Sequence, residues 1–243
     1  MRECGARVAA VMARLQEMAR PGVSTGDLDA FAERAMRSAG GDPLFKGYRV
    51  RGVKKPFPAS ICTSVNDEVV HGIPSPDRAL KDGDIVGIDI GMRYDGMVTD
   101  MAVTLGIGAV SSDARRLITA TQDALNIAIT LARPGVTLGD LGHAVSARLK
   151  KDGLGVIRDL AGHGVGHELH EEPLIPNFGT RGAGMRLEEG MGIAIEPMAT
   201  LGGWRIALDD DEWTFRTADR SLAAHFEHTI AVTKTGAENL TIN

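Results

Sequence analysis

The chain has 243 residues, 43% of them hydrophobic and 24% charged, with a formal net charge of -5. That length supports one large domain or two small ones with an ample core. The mild acidity, with no long basic stretch, argues against nucleic acid as the main partner and excludes a DNA-binding protein, and no apolar run approaches the ~18 residues of a membrane span.

In chain order, Val8, Val11, Met12, Leu15 and Met18 recur at helical spacing and predict a first amphipathic helix. Arg7 and Arg14 interrupt its apolar positions, which speaks against a secretion signal. Cys4 and Cys62 are the only cysteines and form neither a CxxC pair nor a disulfide framework, so a reducing, cytoplasmic location is expected. From Ala19 the chain reads ARPGVSTGDLDAFAERAMRSAGG, and from Ala132 it reads ARPGVTLGDLGHAVSARLKKDGL. The two segments align at an offset of 113, pairing Pro21 with Pro134, Gly22 with Gly135, Asp27 with Asp140 and Leu28 with Leu141. In each, a Pro-Gly turn stops one helix and a Ser or Thr is placed to cap the next. Ile85 to Ile90 and Val98 to Leu105 predict strands around GMRYDG, whose Asp95-Gly96 is a hairpin signal. Residues SSD near Val110 to Asp113 cap a helix carrying Leu117, Ile118, Leu125 and Ile129, and Met191 to Ile195 and Phe226 to Val232 predict the strands of the second half. Helix, helix, strands, repeated once, predicts an α+β fold of two pseudo-symmetric halves, 1–110 and 111–243, sharing an antiparallel sheet. No linker or low-complexity stretch divides the chain, so 1–243 reads as one catalytic domain whose ligands meet on one sheet face between the halves.

Five residues carry the chemistry: Asp89 in IVGIDIG, Asp100 in GMVTDMA, His163 in AGHGVGH, Glu196 in GIAIEPM and Glu227 in AHFEHTI. Acids within apolar, strand-like runs need a partner or a metal, because an isolated buried charge is costly. Asp89 and Asp100 lie on two arms of one hairpin. A turn at Tyr94-Asp95 sets them directly opposite, and a turn at Asp95-Gly96 sets them one diagonal step apart on the same face. Without metal, carboxylates that close would force one to keep a proton. His163, His167 and His170 do not form a helical zinc face, because Gly162, Gly164 and Gly166 each cost a helix roughly 1 kcal/mol. For His143, His167 and His225 an ordinary structural or exposed role is favoured. Four carboxylates and one imidazole, without thiolate, favour two divalent ions, Mn, Fe(II), Co or Zn, and peptide or amide hydrolysis as the reaction class.

The motifs SICTSVNDEVVHGIP, LKDGDIVGIDIG, DGMVTD, GHGVGHELHEEP, LEEGMGIAIEPM and DRSLAAHFEHTIAVT run in order along nearly the whole chain, and with them it resembles the type I methionine aminopeptidases of the bacterial kind. The resemblance implies the pita-bread fold, with helices on the outer face of the shared sheet. It implies that Asp89 holds one metal, that Asp100 and Glu227 bridge both, and that His163 and Glu196 complete the second. Metal-activated water then attacks the carbonyl after the first residue, with Glu196 as proton shuttle. His71 would contact the scissile amide, and His170 would help to stabilise the tetrahedral oxyanion. Phe57, Cys62, Leu169 and Trp213 match the methionine pocket, with Tyr48 less securely placed. The substrates implied are nascent polypeptide N-termini with a small second residue, processed by a monomer. Ribosome docking follows from the resemblance alone.

Two departures bear on the site. GYRVRGVKKPFP carries an insertion of about six residues, with Arg49, Arg51, Lys54 and Lys55, beside the expected pocket mouth. It unsettles Tyr48 as a pocket wall and reads as a solvated surface loop, or as one attracted to RNA. The loop before Trp213 is acidic, with Asp209, Asp210, Asp211 and Glu212, and gives no support to ribosome docking. Alternatives are an Xaa-Pro aminopeptidase or dipeptidase on the same fold, and a non-catalytic pita-bread binding protein. The first usually carries a separate N-terminal domain, and only 70 residues precede His71. The second should have lost ligands, and none is missing.

Overall fold

The computed structural model describes residues 1–242. Its elements, in chain order, are helices α1 (Arg2–Met18) and α2 (Thr25–Ser38), then strands β1 (Asp42–Pro43), β2 (Cys62–Val65), β3 (Glu68–Val70), β4 (Ile85–Tyr94) and β5 (Met97–Gly106). There follow α3 (Ser112–Leu131) and α4 (Leu138–Lys151), β6 (Gly155–Val156), β7 (Ala161–Gly164), β8 (Glu171–Pro176), β9 (Gly192–Ile195) and β10 (Met198–Thr200). The chain ends with β11 (Ile206–Leu208), β12 (Phe215–Thr217), β13 (Ala223–His225), β14 (Glu227–Thr233) and β15 (Gly236–Asn239). Among the described residues no helix is long and apolar enough to cross a membrane.

The repeated segments fold alike. Ser24 caps α2 by accepting from the Asp27 backbone N–H while the Asp27 carboxylate accepts from that of Ser24, and Thr137 and Asp140 build the same capping box on α4. The turns before them place Gly22 at φ +90° and Gly135 at φ +89°, a region where a side chain would be strained. Ser24 bridges Ala79 and Thr137 bridges Arg186, so each helix entry is tied to the loop that feeds its own half of the sheet.

Among the described residues, nine strands form the main antiparallel sheet, in the order β1-β4-β5-β14-β9-β7-β8, with β2 beside β4 and β15 beside β14. Helices cover one face only. Val8, Met12, Leu15, Leu28 and Met36 of α1 and α2 pack with Ile88, Ile90 and Met92. Leu117, Leu125, Leu141 and Val145 of α3 and α4 pack with Ile193, Ile195, Ile230 and Val232. Each such side chain, fully buried, stabilises the fold by about 1.5–3 kcal/mol, so the outer layer secures the sheet and leaves its other face free to carry polar groups. These are the two pseudo-symmetric halves with outer helices expected from the sequence.

The halves meet where β14 pairs with β5, Glu227 opposite Ala102 and His228 opposite Met101. Two threonines extend this short seam. The Thr229 hydroxyl accepts from the Asp100 N–H at 2.9 Å and donates to the Asp100 carbonyl at 2.8 Å. The Thr104 hydroxyl likewise accepts from the His225 N–H at 2.9 Å and donates to its carbonyl at 2.8 Å. Each half therefore fixes the backbone of a polar residue belonging to the other.

Ser24→Ala and Thr137→Ala each remove one cap oxygen. Each is expected to lower unfolding free energy by about 1 kcal/mol, read as a lower urea midpoint at unchanged slope. An unchanged midpoint would show that the capping boxes are dispensable.

Candidate metal centre and its cavity

The five sequence-derived ligand candidates come from five consecutive strands. Asp89 lies on β4, Asp100 on β5, Glu227 on β14, Glu196 one residue beyond β9 and His163 on β7. Tyr94 pairs with Met97, so the hairpin turns at Asp95-Gly96, both with positive φ. Asp89 is then opposite Ala102 and Asp100 opposite Gly91, one diagonal step apart on the same face. Gly91 has a steric reason: a Cβ there would sit 2.8 Å from the Phe45 ring and 3.4 Å from Asp100 Oδ1. His163 is opposite Ala194, and His228 opposite Ile195, so continuing the β9–β14 register brings Glu227 beside Glu196.

These groups are buried, and the burial dominates their acid–base behaviour. The Asp89, Glu196 and Glu227 carboxyls are held well above the usual carboxylate range by loss of water. Asp100 adds to this at Asp89 and Glu227. Asp100 itself rises from 3.8 to about 7 through burial and the nearby Glu196 charge. His163 falls to about 4, mainly through burial. Its Nδ1–H donates to the Gly164 carbonyl at 2.9 Å, which fixes the tautomer and leaves Nε2 with a lone pair. That Nε2 lies 3.6 Å from Glu196 Oε1 and 3.9 Å from Glu227 Oε1.

The donor set fits divalent cations. Asp89 Oδ1, Asp100 Oδ1 and Glu227 Oε1 are buried with no hydrogen-bond partner. Asp100, His163 and Glu227 offer ligand atoms all within 4.8 Å of one another. Orphaned buried carboxylate oxygens cost several kcal/mol each unless they hold protons or cations.

Above this floor is a cavity of about 210 Å³, lined by all five candidates and by His71, His170, Phe57, Cys62, Leu169 and Trp213. It is smaller than the ~300–1,000 Å³ usual for drug-sized ligands and is sized for one side chain. Its apolar wall is a chain of edge-to-face rings, Trp213 to Phe57 at 5.3 Å between centroids and Phe57 to Phe45 at 6.5 Å. Burial, with the Asp89 charge nearby, keeps the Cys62 thiol well above its ordinary pKa, so it contributes as an uncharged apolar group. His71 sits at φ +58°, a backbone strain that points its ring into the cavity mouth, and burial lowers its pKa to about 4. The His170 ring lies edge-on to His163 at 4.5 Å, and burial lowers its pKa too. The chain between them bends and so brings His170 to the cavity wall, which His167 does not line.

Tyr48 lines the cavity, with its hydroxyl 2.6 Å from His170 Nδ1, although the insertion after it made that placement insecure in sequence. Gly47 N–H donates to the Phe57 carbonyl at 2.8 Å, and Phe57 N–H to the Tyr48 carbonyl at 2.9 Å. The inserted residues therefore bulge from two strand-like ends that lie side by side, and Tyr48 stays in the wall. The two departures also meet. Lys54 Nζ is 3.4 Å from Glu212, and Trp213 Nε1–H donates to the Lys55 carbonyl at 3.1 Å. Asp209 pairs with Arg216, and Asp211 accepts from the Trp213 and Thr214 backbone N–H groups at 2.8 Å. Much of the acidic loop is thus engaged in holding Trp213 and its neighbours.

His225 is the group that sequence reasoning set aside. It is only 4% exposed and lines the same cavity. Period-2 spacing from Glu227 was the available signal, outweighed by the commonness of structural histidines. His143 lies on α4, away from the centre.

A family model described as metallopeptidase family M24 matches residues 1–234. The chain is 42% identical over 242 residues to methionine aminopeptidase of Clostridium acetobutylicum, covering 100% of this chain and 94% of that one. It is 44% identical over 241 residues to methionine aminopeptidase 1 of Bacillus subtilis, covering 99% and 94%. The crystal structure of methionine aminopeptidase from Thermotoga maritima superposes with a TM-score of 0.96 at 41% identity, covering 100% and 95%. The pita-bread architecture is thereby shown.

Raised carboxyl pKa values destabilise the ion-free fold as pH rises. For Asp100 the contribution is fully present below its ordinary value of 3.8 and is lost as pH rises through about 7. Asp100→Asn is therefore expected to flatten the fall in melting temperature of EDTA-treated protein over that window. It is also expected to abolish most of the rise in melting temperature that Mn or Co gives wild type. Equal metal-induced stabilisation of both proteins would remove Asp100 from the centre.

Proposed function

The chain belongs to metallopeptidase family M24, and we propose that residues 1–243 act as one catalytic domain, built from the repeated units 1–110 and 111–243, that removes N-terminal methionine from nascent proteins and peptides. It is a metal-dependent aminopeptidase. The observation that carries the substrate reading is the junction of two surfaces in one cavity, a floor of cation-fitting donors and a wall of apolar rings sized for one side chain.

Asp89, Asp100, His163, Glu196 and Glu227 would hold two divalent ions, of Co, Mn, Fe(II) or Zn. When bound, such ions supply Lewis-acid polarisation of the carbonyl and a water acidic enough to ionise near neutral pH. The protein's own groups do the rest. Phe57, Cys62, Leu169 and Trp213 enclose an unbranched thioether side chain and exclude water from it. His71, neutral at physiological pH, hydrogen-bonds the scissile amide. Water adds to the carbonyl carbon as Glu196 takes its proton. The oxyanion accepts a hydrogen bond from His170, whose Nε2 carries a proton when Tyr48 O–H donates to Nδ1. Glu196 returns the proton to the amide nitrogen as the C–N bond breaks, releasing methionine and a new N-terminus. The confined mouth favours a small second residue. The expected setting is the cytoplasm, with the enzyme a monomer acting on nascent polypeptide N-termini.

The deciding assay is release of the first residue from Met-Ala-Ser and Ala-Pro-Ala peptides with Mn, Co, Fe(II), Zn or EDTA. Metal-dependent release of methionine alone is expected. Cleavage at the Ala-Pro bond would place the chain with proline-specific enzymes, and no release with any metal would support a binding role. Asp100→Asn should abolish turnover with the fold retained, and His170→Ala should lower kcat by ~10²–10³, the usual cost of an oxyanion donor. Met-Leu peptides should be cleaved far more slowly than Met-Ala peptides. Equal rates would refute the small-residue preference.

A further inference from the structure

We propose that His225 is a further ligand of the metal centre, holding one of the divalent ions together with Glu196. The inference rests on the metal-dependent reading above and deepens it.

The ring is buried, and its Nε2 has no hydrogen-bond partner. Buried polar side-chain atoms are nearly always paired, so an orphan nitrogen in a native core asks for an unseen partner. What it faces is specific. Nε2 lies 3.5 Å from Glu196 Oε2 and 3.9 Å from Glu227 Oε2. His163 approaches the same two carboxylates from their other oxygens, at 3.6 Å to Glu196 Oε1 and 3.9 Å to Glu227 Oε1. Two imidazoles therefore flank one pair of carboxylates with nearly the same spacing. A nitrogen–oxygen distance of 3.5 Å is too long for a strong charge-assisted hydrogen bond, which closes to ~2.7–2.9 Å. It is the separation of two donors each ~2.0–2.1 Å from a shared tetrahedral ion.

The backbone is built for fixed placement. Thr104, on β5 of the first half, holds both the N–H and the carbonyl of His225, as Thr229 holds those of Asp100. Phe226, between His225 and Glu227, turns to the outer core, so the residues on either side of it both reach the cavity. A second imidazole also changes the chemistry of the donor set. It makes the centre softer and favours Zn or Co over Mn relative to a site with one histidine.

The test uses EDTA-stripped full-length wild type, His225→Gln and His225→Asn, titrated with Co(II) by calorimetry and by the visible absorption of the ion. Circular dichroism of the ion-free proteins checks that each variant folds, and the two variants guard against failure of either. The expected result is binding of one ion weaker by at least roughly 10–100-fold, the loss usual even for residues that only support a ligand, and an altered cobalt spectrum in both variants. Wild-type affinity and spectrum in the variants overturns the inference, whatever happens to turnover. Turnover lost with unchanged cobalt binding also overturns it, and assigns His225 to the substrate. Failure of wild type to bind Co(II) would be a different failure, of the metal reading itself.

Discussion

Four carboxyl groups and two imidazoles share the floor of one cavity, and the cost of keeping them there shapes the surrounding structure. Each carboxylate moved from water into such a site loses several kcal/mol of hydration, and neighbouring charges of the same sign add to the loss. The protein meets this with a sheet whose two faces do different things. Outer-face residues such as Ile88, Ile90, Ile193, Ile195, Ile230 and Val232 are buried beneath four helices, while the alternate residues of the same strands carry the acids. Strand alternation makes this division possible, because successive side chains point to opposite faces. A divalent cation held by these donors would offset the most unfavourable part of the fold.

The seam between the halves is where that site is assembled. Asp89 and Asp100 belong to the first half, His163, Glu196 and Glu227 to the second, and the strands carrying them are contiguous only because β5 pairs with β14. The pairing is short, and Thr104 and Thr229 supplement it by gripping His225 and Asp100 through both backbone groups. Two residues that line the cavity are thereby tied across the interface and not only within their own half.

The cavity wall shows how local departures are absorbed. The insertion Arg49 to Lys55 looks in sequence like a disturbance of the pocket, and the Asp209 to Glu212 loop like an unrelated acidic patch. In three dimensions Lys54 meets Glu212, and the Lys55 carbonyl accepts the Trp213 indole N–H. Each exposed ion pair contributes little energy. The geometry matters more, because the loops lean on one another behind Trp213 and leave Tyr48 against His170.

The sequence alone determined the helix pairs, their Ser and Thr caps, the hairpin and the α+β class, because these follow from local periodicity and from short contacts that a repeat of this length displays openly. It also singled out Asp89, Asp100, His163, Glu196 and Glu227, since acids inside apolar runs are anomalous wherever the strands end up. It left the hairpin register open between two turns, a choice made by the left-handed backbone at Asp95 and Gly96. Tyr48 and His225 it left undecided for a different reason. Whether Tyr48 touches His170, 122 residues away, depends on a backbone closure that bypasses the insertion. Whether His225 faces the carboxylates depends on Thr104 and on the seam. Spacing along one strand can hint at a shared face, but contacts between residues so far apart in the chain are decided only by the tertiary structure, which chooses which strand edges meet.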